Sequence, residues 1–346
     1  MANHKRYPTM KDVAEEAGVA VSTVSHVVNR SAYVTEATAA KVEEAIRRLG
    51  FRTNLVARNL RSGKSHVIGF IVSNLSSYFY IRIARGIEQA VRPHGYNVVL
   101  VESQETIDTE VENIESLFDR NVDGVILVPT CPSCDHLRKV ADSGYPVVLV
   151  DRQPEGVEFD TILLANEDAG YRATRHLIQQ GHTEIAFVGF HFGHGEIDTT
   201  MRERMDGYRR AHEEAGLSVR PECLQVAAGG AALVNQLRYA ESYRMTERLL
   251  DSSSITAILC GNNLASIGVF SCLKDRNVRI PEAVALITFD DELWLSLSTP
   301  RISAVAQPAE LMGAAAAEHL LKRIDGRTES PECIRLKAEL IVRESS

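Results

Sequence analysis

The sequence predicts a small all-α head followed by an α/β body of two doubly wound parallel-sheet lobes. Three observations support this fold class. Residues 9–29 carry two short apolar stripes at helical spacing around a tight turn. From residue 66 onward, Val- and Ile-rich runs alternate with amphipathic stretches, which is typical of parallel sheets covered by helices on both faces. That alternation occurs in two successive blocks, about 66–161 and 166–289, so we expect two lobes.

Length and composition narrow the class of protein. The chain has 346 residues, of which 45% are hydrophobic and 24% charged, as in a soluble globular protein of more than one domain. No apolar run approaches the roughly 18 residues of a membrane span. The first ten residues lack the apolar core of a secretory signal. We therefore expect a cytoplasmic protein without a membrane partner.

Charge is divided unevenly along the chain. Residues 1–65 hold eleven Lys and Arg against six Asp and Glu, whereas the remainder holds 27 basic and 40 acidic residues. A basic segment attached to an acidic body indicates a protein that contacts a phosphate backbone through one end only.

The stretch 9–29 predicts a helix-turn-helix, whose second helix enters the major groove of double-stranded DNA. Thr9 and Asp12 have the spacing of a capping box, and Gly18 gives the turn its backbone freedom. The second helix carries short polar side chains that suit phosphates and base edges: Ser22, Thr23, Ser25, His26 and Asn29. An ordinary helix pair within a larger α domain is the alternative.

The next segments complete the head and lead to the body. Thr35 is expected to cap a third helix at about 36–49, which ends at Gly50. Residues 54–61 are polar and too few to form a stable helix in water on their own. The segment is either a short helix that needs a partner to become stable or a plain linker, which the flanking Ser and Gly residues favour.

Apolar runs predict the elements of the body. The expected strands are 67–72, 96–101, 123–128, 146–150, 185–189, 223–226, 257–260 and 285–289. The expected helices are 79–92, 106–120, 135–143, 167–180, 202–216, 240–251, 263–276 and 309–324.

The residues that follow these strands are candidate ligand contacts, because parallel α/β sheets bind ligands beyond the carboxyl ends of their strands. They combine aromatic rings, amides, carboxylates and guanidinium groups, which suits a sugar ring and its hydroxyls: Asn74, Tyr78, Phe79, Asp151, Arg152, Arg204, Asn262, Asn263 and Asp290. Two alternatives stay open. One is that Arg204 pairs with Glu203 or Asp206 on its own helix, and the other is that Asp290 or Asp291 caps a turn.

Two further groups carry weaker signals. Cys131 and Cys134 form a CxxC after a strand, and a plain loop is a better interpretation than a redox or zinc site. His191, His194 and Glu196 have metal-binding side chains but lie in a Gly-rich loop. We therefore predict no metal site and no cofactor. No nucleophile–base motif or phosphate-cradling loop is found, so an enzyme is not predicted.

Two motifs closely resemble the N-terminus of the lactose/galactose/purine repressor (LacI/GalR) family. They read Thr-Met-x-Asp-Val-Ala-x-x-Ala-Gly-Val and Ser-Thr-Val-Ser-x-Val-Val-Asn. The body resembles the same family and the periplasmic sugar-binding proteins at several landmarks: 161–182, Arg204-x-x-Gly207-Tyr208, Asn262, Phe289-Asp290-Asp291 and Pro300-Arg301-Ile302-Ser303. The resemblance thus covers nearly the whole chain.

This resemblance implies three segments. They are a helix-turn-helix DNA-binding domain at 1–52, a hinge helix and linker at 53–65, and an effector-binding and dimerisation domain at 66–346. Within the last segment, we expect a first lobe of about 66–161 plus 291–322. The second lobe is expected to comprise about 162–290 plus 323–346.

The resemblance also implies the DNA contacts. Val21, Ser22 and His26 are expected to contact bases, although packing of Val21 into the small core is an alternative. Thr23, Ser25 and Asn29 are expected to contact phosphates, and Thr9 is also expected to contact DNA. Ala57, Leu60 and Arg61 match a hinge helix that wedges its Leu between base steps. Ala20 departs from the family, which usually has a capping Ser there.

The expected function is that of a transcriptional repressor of a metabolic operon. A homodimer would bind a pseudo-palindromic operator under allosteric control by a small, sugar-like effector. A purine or nucleoside effector is one alternative, although the Arg that holds purine in the family falls near Asp198 here. Asn263 also departs from the Asp common in the family. A sugar-binding sensor without a DNA role is the other alternative.

Overall fold

A computed structural model describes residues 8–29, 31–51, 64–131, 135–191, 197–228, 235–252 and 254–346. The chain divides into two units, Met1–Ser65 and His66–Ser346. Each unit has its own hydrophobic core, so each is described by itself below.

The first unit contains the three predicted helices, α1 (Met10–Ala17), α2 (Val21–Asn29) and α3 (Glu36–Leu49). The capping box at Thr9 is confirmed, since the Asp12 carboxylate accepts from the Thr9 N–H at 2.6 Å and Asp12 N–H donates to the Thr9 hydroxyl. Gly18 ends α1 in the left-handed conformation, with φ of 63°. Thr35 precedes α3 as expected, but its hydroxyl bonds to that of Thr38 and makes no capping bond to the backbone.

A small core holds these three helices together. Its buried side chains are Val13, Ala14, Val24, Val42 and Ala45. Their spacing within each helix gives one apolar face per helix, as the sequence predicts.

The second unit contains two six-stranded sheets. The first has the order β11-β5-β4-β3-β1-β2 and the second β12-β10-β9-β8-β6-β7, with every recorded pairing parallel except that of β10 with β12. The strands are β1 (Val67–Val72), β2 (Asn97–Glu102), β3 (Gly124–Leu127), β4 (Val147–Val150), β5 (Asp160–Leu164), β6 (Ile185–His191), β7 (Leu224–Ala228), β8 (Ala257–Cys260), β9 (Ala285–Phe289), β10 (Ser303–Ala306), β11 (Cys333–Leu336) and β12 (Glu339–Ile341).

Helices cover both faces of each sheet. They are α4 (Tyr78–Val91), α5 (Ile107–Asp119), α6 (Asp135–Asp142), α7 (Asn166–Gln179), α8 (Thr199–Glu214), α9 (Asn235–Ser252), α10 (Asn263–Asp275), α11 (Leu293–Leu297) and α12 (Ala309–Ile324). Central strands such as β3, β4, β8 and β9 are buried along their whole length. This burial explains why their sequences are continuous apolar runs rather than alternating ones.

The predicted division between the lobes is wrong in detail. β10 lies in 291–322, which we assigned to the first lobe, yet it pairs with β9 in the second sheet. β11 lies in 323–346, which we assigned to the second lobe, yet it pairs with β5 in the first sheet. The predicted boundary at 161/162 also cuts through β5. The chain therefore crosses between the lobes three times, after β5, after β10 and after β11.

Candidate functional site

The carboxyl ends of strands from both sheets meet at one cavity. Its lining combines carboxylates, guanidinium groups, amides, hydroxyls and apolar side chains: Asn74, Ser76, Ser77, Phe79, Tyr80, Glu105, Asp151, Arg152, Phe190, Asp198, Thr200, Met201, Arg204, Asn262, Asn263, Leu264, Asp290 and Gln307. This is the position at which parallel α/β sheets bind ligands.

Eight of the nine predicted ligand contacts line this cavity, and Tyr78 does not. Tyr78 is 53% exposed at the start of α4, whereas Tyr80 is buried and lines the cavity. Successive helical residues turn by about 100°, so Tyr78 and Tyr80 project to opposite sides. The aromatic contribution of α4 therefore comes from Phe79 and Tyr80.

In the first lobe, the site is built around a buried ion pair. The Arg152 guanidinium donates to both oxygens of Glu105, at 2.8 and 3.1 Å, and to the Pro129 carbonyl at 3.1 Å. The Tyr80 hydroxyl donates to the Asp151 carboxylate at 2.9 Å. Burial disfavours the Arg152 charge, but Glu105, Tyr80 and Asp198 together more than offset this, so the pKa of Arg152 is raised.

In the second lobe, the site is built around Arg204. Its guanidinium donates to Asn166 at 2.8 Å, the Gly261 carbonyl at 2.7 Å and the Gln307 side chain at 3.2 Å. It also stacks over the Phe289 ring, 4.1 Å from the centroid. Burial is the largest effect on this group, and it lowers the pKa of Arg204.

Close helix packing positions Arg204. A Cβ added at Gly170 on α7 would lie 2.3 Å from the Arg204 carbonyl oxygen, and one at Gly207 on α8 would lie 2.0 Å from the Glu167 carbonyl oxygen. Only glycine permits backbones to approach this closely. The alternative pairing of Arg204 on its own helix is wrong, because Glu203 binds Arg335 and Asp206 binds Arg209.

Asp290 follows β9 and faces the cavity. Its carboxylate accepts from the Gln307 amide at 2.6 Å, while the neighbouring Asp291 forms a bidentate pair with Arg343. Asp291 is therefore structural and does not cap a turn. Burial raises the pKa of Asp290 and likewise that of Asp151, because both charged forms lose solvent.

The two predicted amides have partners of their own. The Asn262 side chain caps α10 by accepting from Ala265 N–H at 3.2 Å, and it donates to the Phe190 carbonyl at 2.8 Å. Asn263 donates to Glu292 at 2.7 Å. Burial, assisted by Asp290, raises the pKa of Glu292.

Several lining residues were not predicted, notably Tyr80, Glu105, Phe190, Asp198 and Gln307. Gln307 follows β10, so the rule that ligands bind after strands identifies it once that strand is known. Asp198 is the N-cap of α8, and its carboxylate accepts from Met201 N–H at 3.0 Å. Glu105 comes shortly after β2, the edge strand of the first sheet, and only its pairing with Arg152 identifies it as part of the site.

The weaker signals have the following outcomes. Cys131 is buried and disulfide-bonded, and Cys134 lies outside the described residues. His191 ends β6, whereas His194 and Glu196 lie outside the described residues. Among the residues that the structure describes, no group of three or more His, Cys, Asp or Glu is arranged to hold a metal.

In the first unit, α2 presents its polar face to solvent. Ser22 and His26 are exposed, Thr23 and Ser25 are half-buried, and Val24 points into the core. Val21 is 46% exposed and is not part of the core, so the alternative that it packs there is wrong. Asn29 ends α2, and its side chain, like Ala57, Leu60 and Arg61, lies outside what the structure describes.

A helix-turn-helix with an exposed polar recognition face, joined to a two-sheet body with a polar cleft at the carboxyl ends of its strands, defines a ligand-responsive DNA-binding regulator. Comparison with known proteins agrees. Residues 9–54 match the model of the bacterial regulatory proteins of the lacI family, and residues 65–344 match that of the periplasmic binding proteins and sugar binding domain of the LacI family. The chain belongs to the LacI family and is a DNA-binding transcription regulator.

Individual relatives agree over almost the full length. The chain is 32% identical to the ribose operon repressor of Escherichia coli K12, over 98% of this chain and 99% of the relative. It is 31% identical to the transcriptional repressor PurR of Vibrio campbellii, over 97% and 98%. A crystal structure of the lac repressor dimer bound to operator and an anti-inducer shares the fold, with a TM-score of 0.84, 22% identity, and 98% and 99% coverage.

Within the described part of the chain, no helix combines the length and the apolar content that crossing a membrane requires.

Proposed function

We propose that the cleft binds a small sugar or sugar derivative and that this effector controls the affinity of the protein for its operator. The observation that carries the proposal is the meeting of aromatic, amide, carboxylate and guanidinium groups from both sheets in one cavity. A ring face on Phe79 or Phe190, with planar polar groups around it, suits a pyranose or furanose. The likeness to a ribose operon repressor supports the same ligand class.

A purine or nucleoside is the second candidate, favoured by the likeness to PurR. The cleft favours it less, because Asp198 is the residue near the position where the purine-binding relatives carry Arg. Its carboxylate accepts hydrogen bonds, whereas the guanidinium only donates. Thermal-shift screening against sugars and nucleobases tests the choice, and stabilisation by a nucleobase alone would overturn the sugar.

For DNA, we propose that a homodimer places two copies of α2 in successive major grooves of a pseudo-palindromic operator and represses the operon. Two-fold symmetry of the protein maps onto a two-fold site. A gel-shift assay at two salt concentrations compares the upstream region of the gene with random DNA. We expect tighter binding to the upstream region at both concentrations, and equal binding would contradict the proposal.

The hinge gives a second test of DNA binding. Leu60→Ala should weaken binding to the operator far more than binding to random DNA, because apolar insertion between base steps contributes only on the specific site. Lys64→Ala is a matched control that removes a charge near the same segment, and it should weaken both complexes to a similar degree. Equal losses for Leu60→Ala on both DNAs would refute the wedge.

Two narrower statements belong to the same proposal. The protein acts in the cytoplasm, where its operator lies, and it binds its effector without converting it. Supporting the second, the named relatives are transcription regulators. Incubation of the protein with the sugar that stabilises it, followed by chromatography, tests this, and the appearance of a product would overturn it.

A further inference from the structure

The cavity contains more carboxylates than guanidinium groups. Glu105 and Asp151 face it from the first lobe, and Asp198 and Asp290 from the second. Against these four acids stand Arg152 and Arg204, the two basic residues of its lining. The described lining therefore carries a formal excess of negative charge.

Both guanidinium groups already bind groups of the protein. Arg152 spends its two terminal nitrogens on Glu105, the Pro129 carbonyl and the Tyr80 hydroxyl. Arg204 directs all three of its nitrogens at acceptors of the protein, namely Asn166, the Gly261 carbonyl and Gln307. Neither group is arranged as an open fork of the kind that receives a phosphate or a carboxylate from solution.

The carboxylates, in contrast, keep acceptor capacity. Asp151 accepts from the Tyr80 hydroxyl, with Arg152 Nε 3.9 Å away, and Asp290 accepts from the Gln307 amide. An ionised carboxylate has about four acceptor sites, so both keep some for a ligand. Burial also raises the pKa of both acids, because their negative charge has lost solvent. An anionic group on a bound ligand would be repelled by these carboxylates, because a buried cleft screens charge poorly.

We propose that the cleft selects a ligand that is rich in hydrogen-bond donors and carries no anionic group. The ligand class is an uncharged sugar whose hydroxyls donate to Asp151 and Asp290, and sugar phosphates and uronates are rejected. The inference rests on the proposed function, and it narrows the effector class by charge.

The test uses the full chain and matched sugars that differ in charge. The sets are ribose with ribose 5-phosphate, glucose with glucose 6-phosphate and glucuronate, and galactose with galactose 6-phosphate and galacturonate. We expect the strongest thermal stabilisation from an uncharged sugar, with affinity for its phosphate ester at least ~100-fold weaker. A phosphate or uronate that binds more tightly than its parent sugar would overturn the proposal. So would the absence of thermal stabilisation by any uncharged sugar.

A variant shows whether the cleft carboxylates cause the discrimination. Asp290→Asn keeps the shape and removes one charge, so the affinity ratio between the parent sugar and its phosphate should fall about tenfold. Glu339→Gln, an exposed position on β12, is the matched control and should leave the ratio unchanged. An unchanged ratio in Asp290→Asn would contradict the electrostatic cause, and if that variant fails to fold, the wild-type sets still decide the ligand class.

Binding to the upstream DNA without any sugar is measured in parallel. Failure there contradicts the regulator proposal and leaves the charge selection to be judged by the melting data alone.

Discussion

The two lobes build the same backbone corner at the cleft. Asp151 follows β4 and Asp290 follows β9, and these strands hold equivalent places in their sheets. Each Asp donates its N–H to the neighbouring strand, to Ile162 at 2.9 Å and to Val305 at 3.0 Å. Both adopt left-handed backbone, with φ of 72° and 70°, which is uncommon outside glycine and occurs at functional sites.

The lobes differ in how each guanidinium is neutralised. Arg152 faces the carboxylate of Glu105 within its own lobe, whereas Arg204 donates to neutral acceptors. The pKa of Arg152 is accordingly raised and that of Arg204 lowered. In the first lobe, the charge of Arg152 is therefore neutralised locally by Glu105. In the second lobe, the charge of Arg204 is balanced only by more distant acids, Asp290, Asp151 and Asp198, of which Asp151 belongs to the other lobe.

The largest expected effect comes from breaking the Arg152–Glu105 ion pair of the first lobe. Glu105→Gln removes the bidentate partner of the buried Arg152 charge and leaves only the Asp151 carboxylate, 3.9 Å from Arg152 Nε, so we expect unfolding free energy to fall by about 3–5 kcal/mol. Urea denaturation measures this. The control is Glu155→Gln, which removes an exposed partner of Arg202 and should cost under ~1 kcal/mol.

The cause of that loss can be separated from simple repacking. Glu105→Gln combined with Arg152→Met removes both charges, and most of the lost stability should return. A double variant as unstable as the single one would show that the stranded charge is not responsible.

The next effect acts on the other half of the cleft. Gly207→Ala forces a methyl group into the Glu167 carbonyl oxygen, which is backbone and cannot rotate away. We expect a loss of about 1–3 kcal/mol by thermal melting, together with weaker ligand binding, because α8 carries Arg204. Glu213→Ala on the exposed side of α8 is the control. Unchanged stability in Gly207→Ala would mean that the two helices separate without cost.

The sequence predicts the strands and cleft residues of the two lobes only in part. Buried strands such as β3 and β9 can be predicted from their continuous apolar runs. The residues that follow them can then be predicted as ligand contacts, because ligands bind beyond the carboxyl ends of parallel strands. β10, β11 and β12 have only three or four residues, and β11 pairs with β5 across more than 160 residues. Such strands are defined by distant partners rather than by local pattern, so the lobe crossings and Gln307 were missed.

Side-chain direction was the second limit. The sequence placed an aromatic pair at the start of α4, but the phase of the helix decides that Tyr80 rather than Tyr78 reaches the cavity. Likewise, nothing local in the sequence links Glu105 to Arg152, because the pair forms only when the β2 and β4 loops converge. Residue types were predictable, and their pairings required the tertiary structure.

A smaller effect separates the cleft acids from a structural acid. Burial raises the pKa of Asp290, so the folded state holds its proton more tightly than the unfolded state. Its contribution to stability is therefore greatest below the unfolded pKa and is lost as the pH rises through the folded pKa. Asp290→Asn should be more stable than wild type at neutral pH, and this gain should disappear on acidification.

Asp160 is the matched contrast because its pKa is lowered. Burial opposes its charge, but Arg323 and the Glu332 N–H stabilise it more. Its contribution is present above the unfolded pKa and is lost as the pH falls through the folded pKa. Asp160→Asn should therefore destabilise the protein at neutral pH and have less effect in acid. Parallel pH profiles for the two variants would contradict the assignment.

The smallest effect concerns an exposed ion pair that joins elements of the two lobes. Arg335 on β11 binds Glu203 on α8 at 2.9 Å, and both side chains contact solvent. Arg335→Gln should lower unfolding free energy by less than ~1 kcal/mol, because solvent screens such pairs, and the difference should shrink with added salt. Arg343→Gln, which breaks a less exposed pair with Asp291 inside the second lobe, should cost more. If Arg335→Gln costs more than Arg343→Gln, the bridge between the lobes matters more than the packing within them.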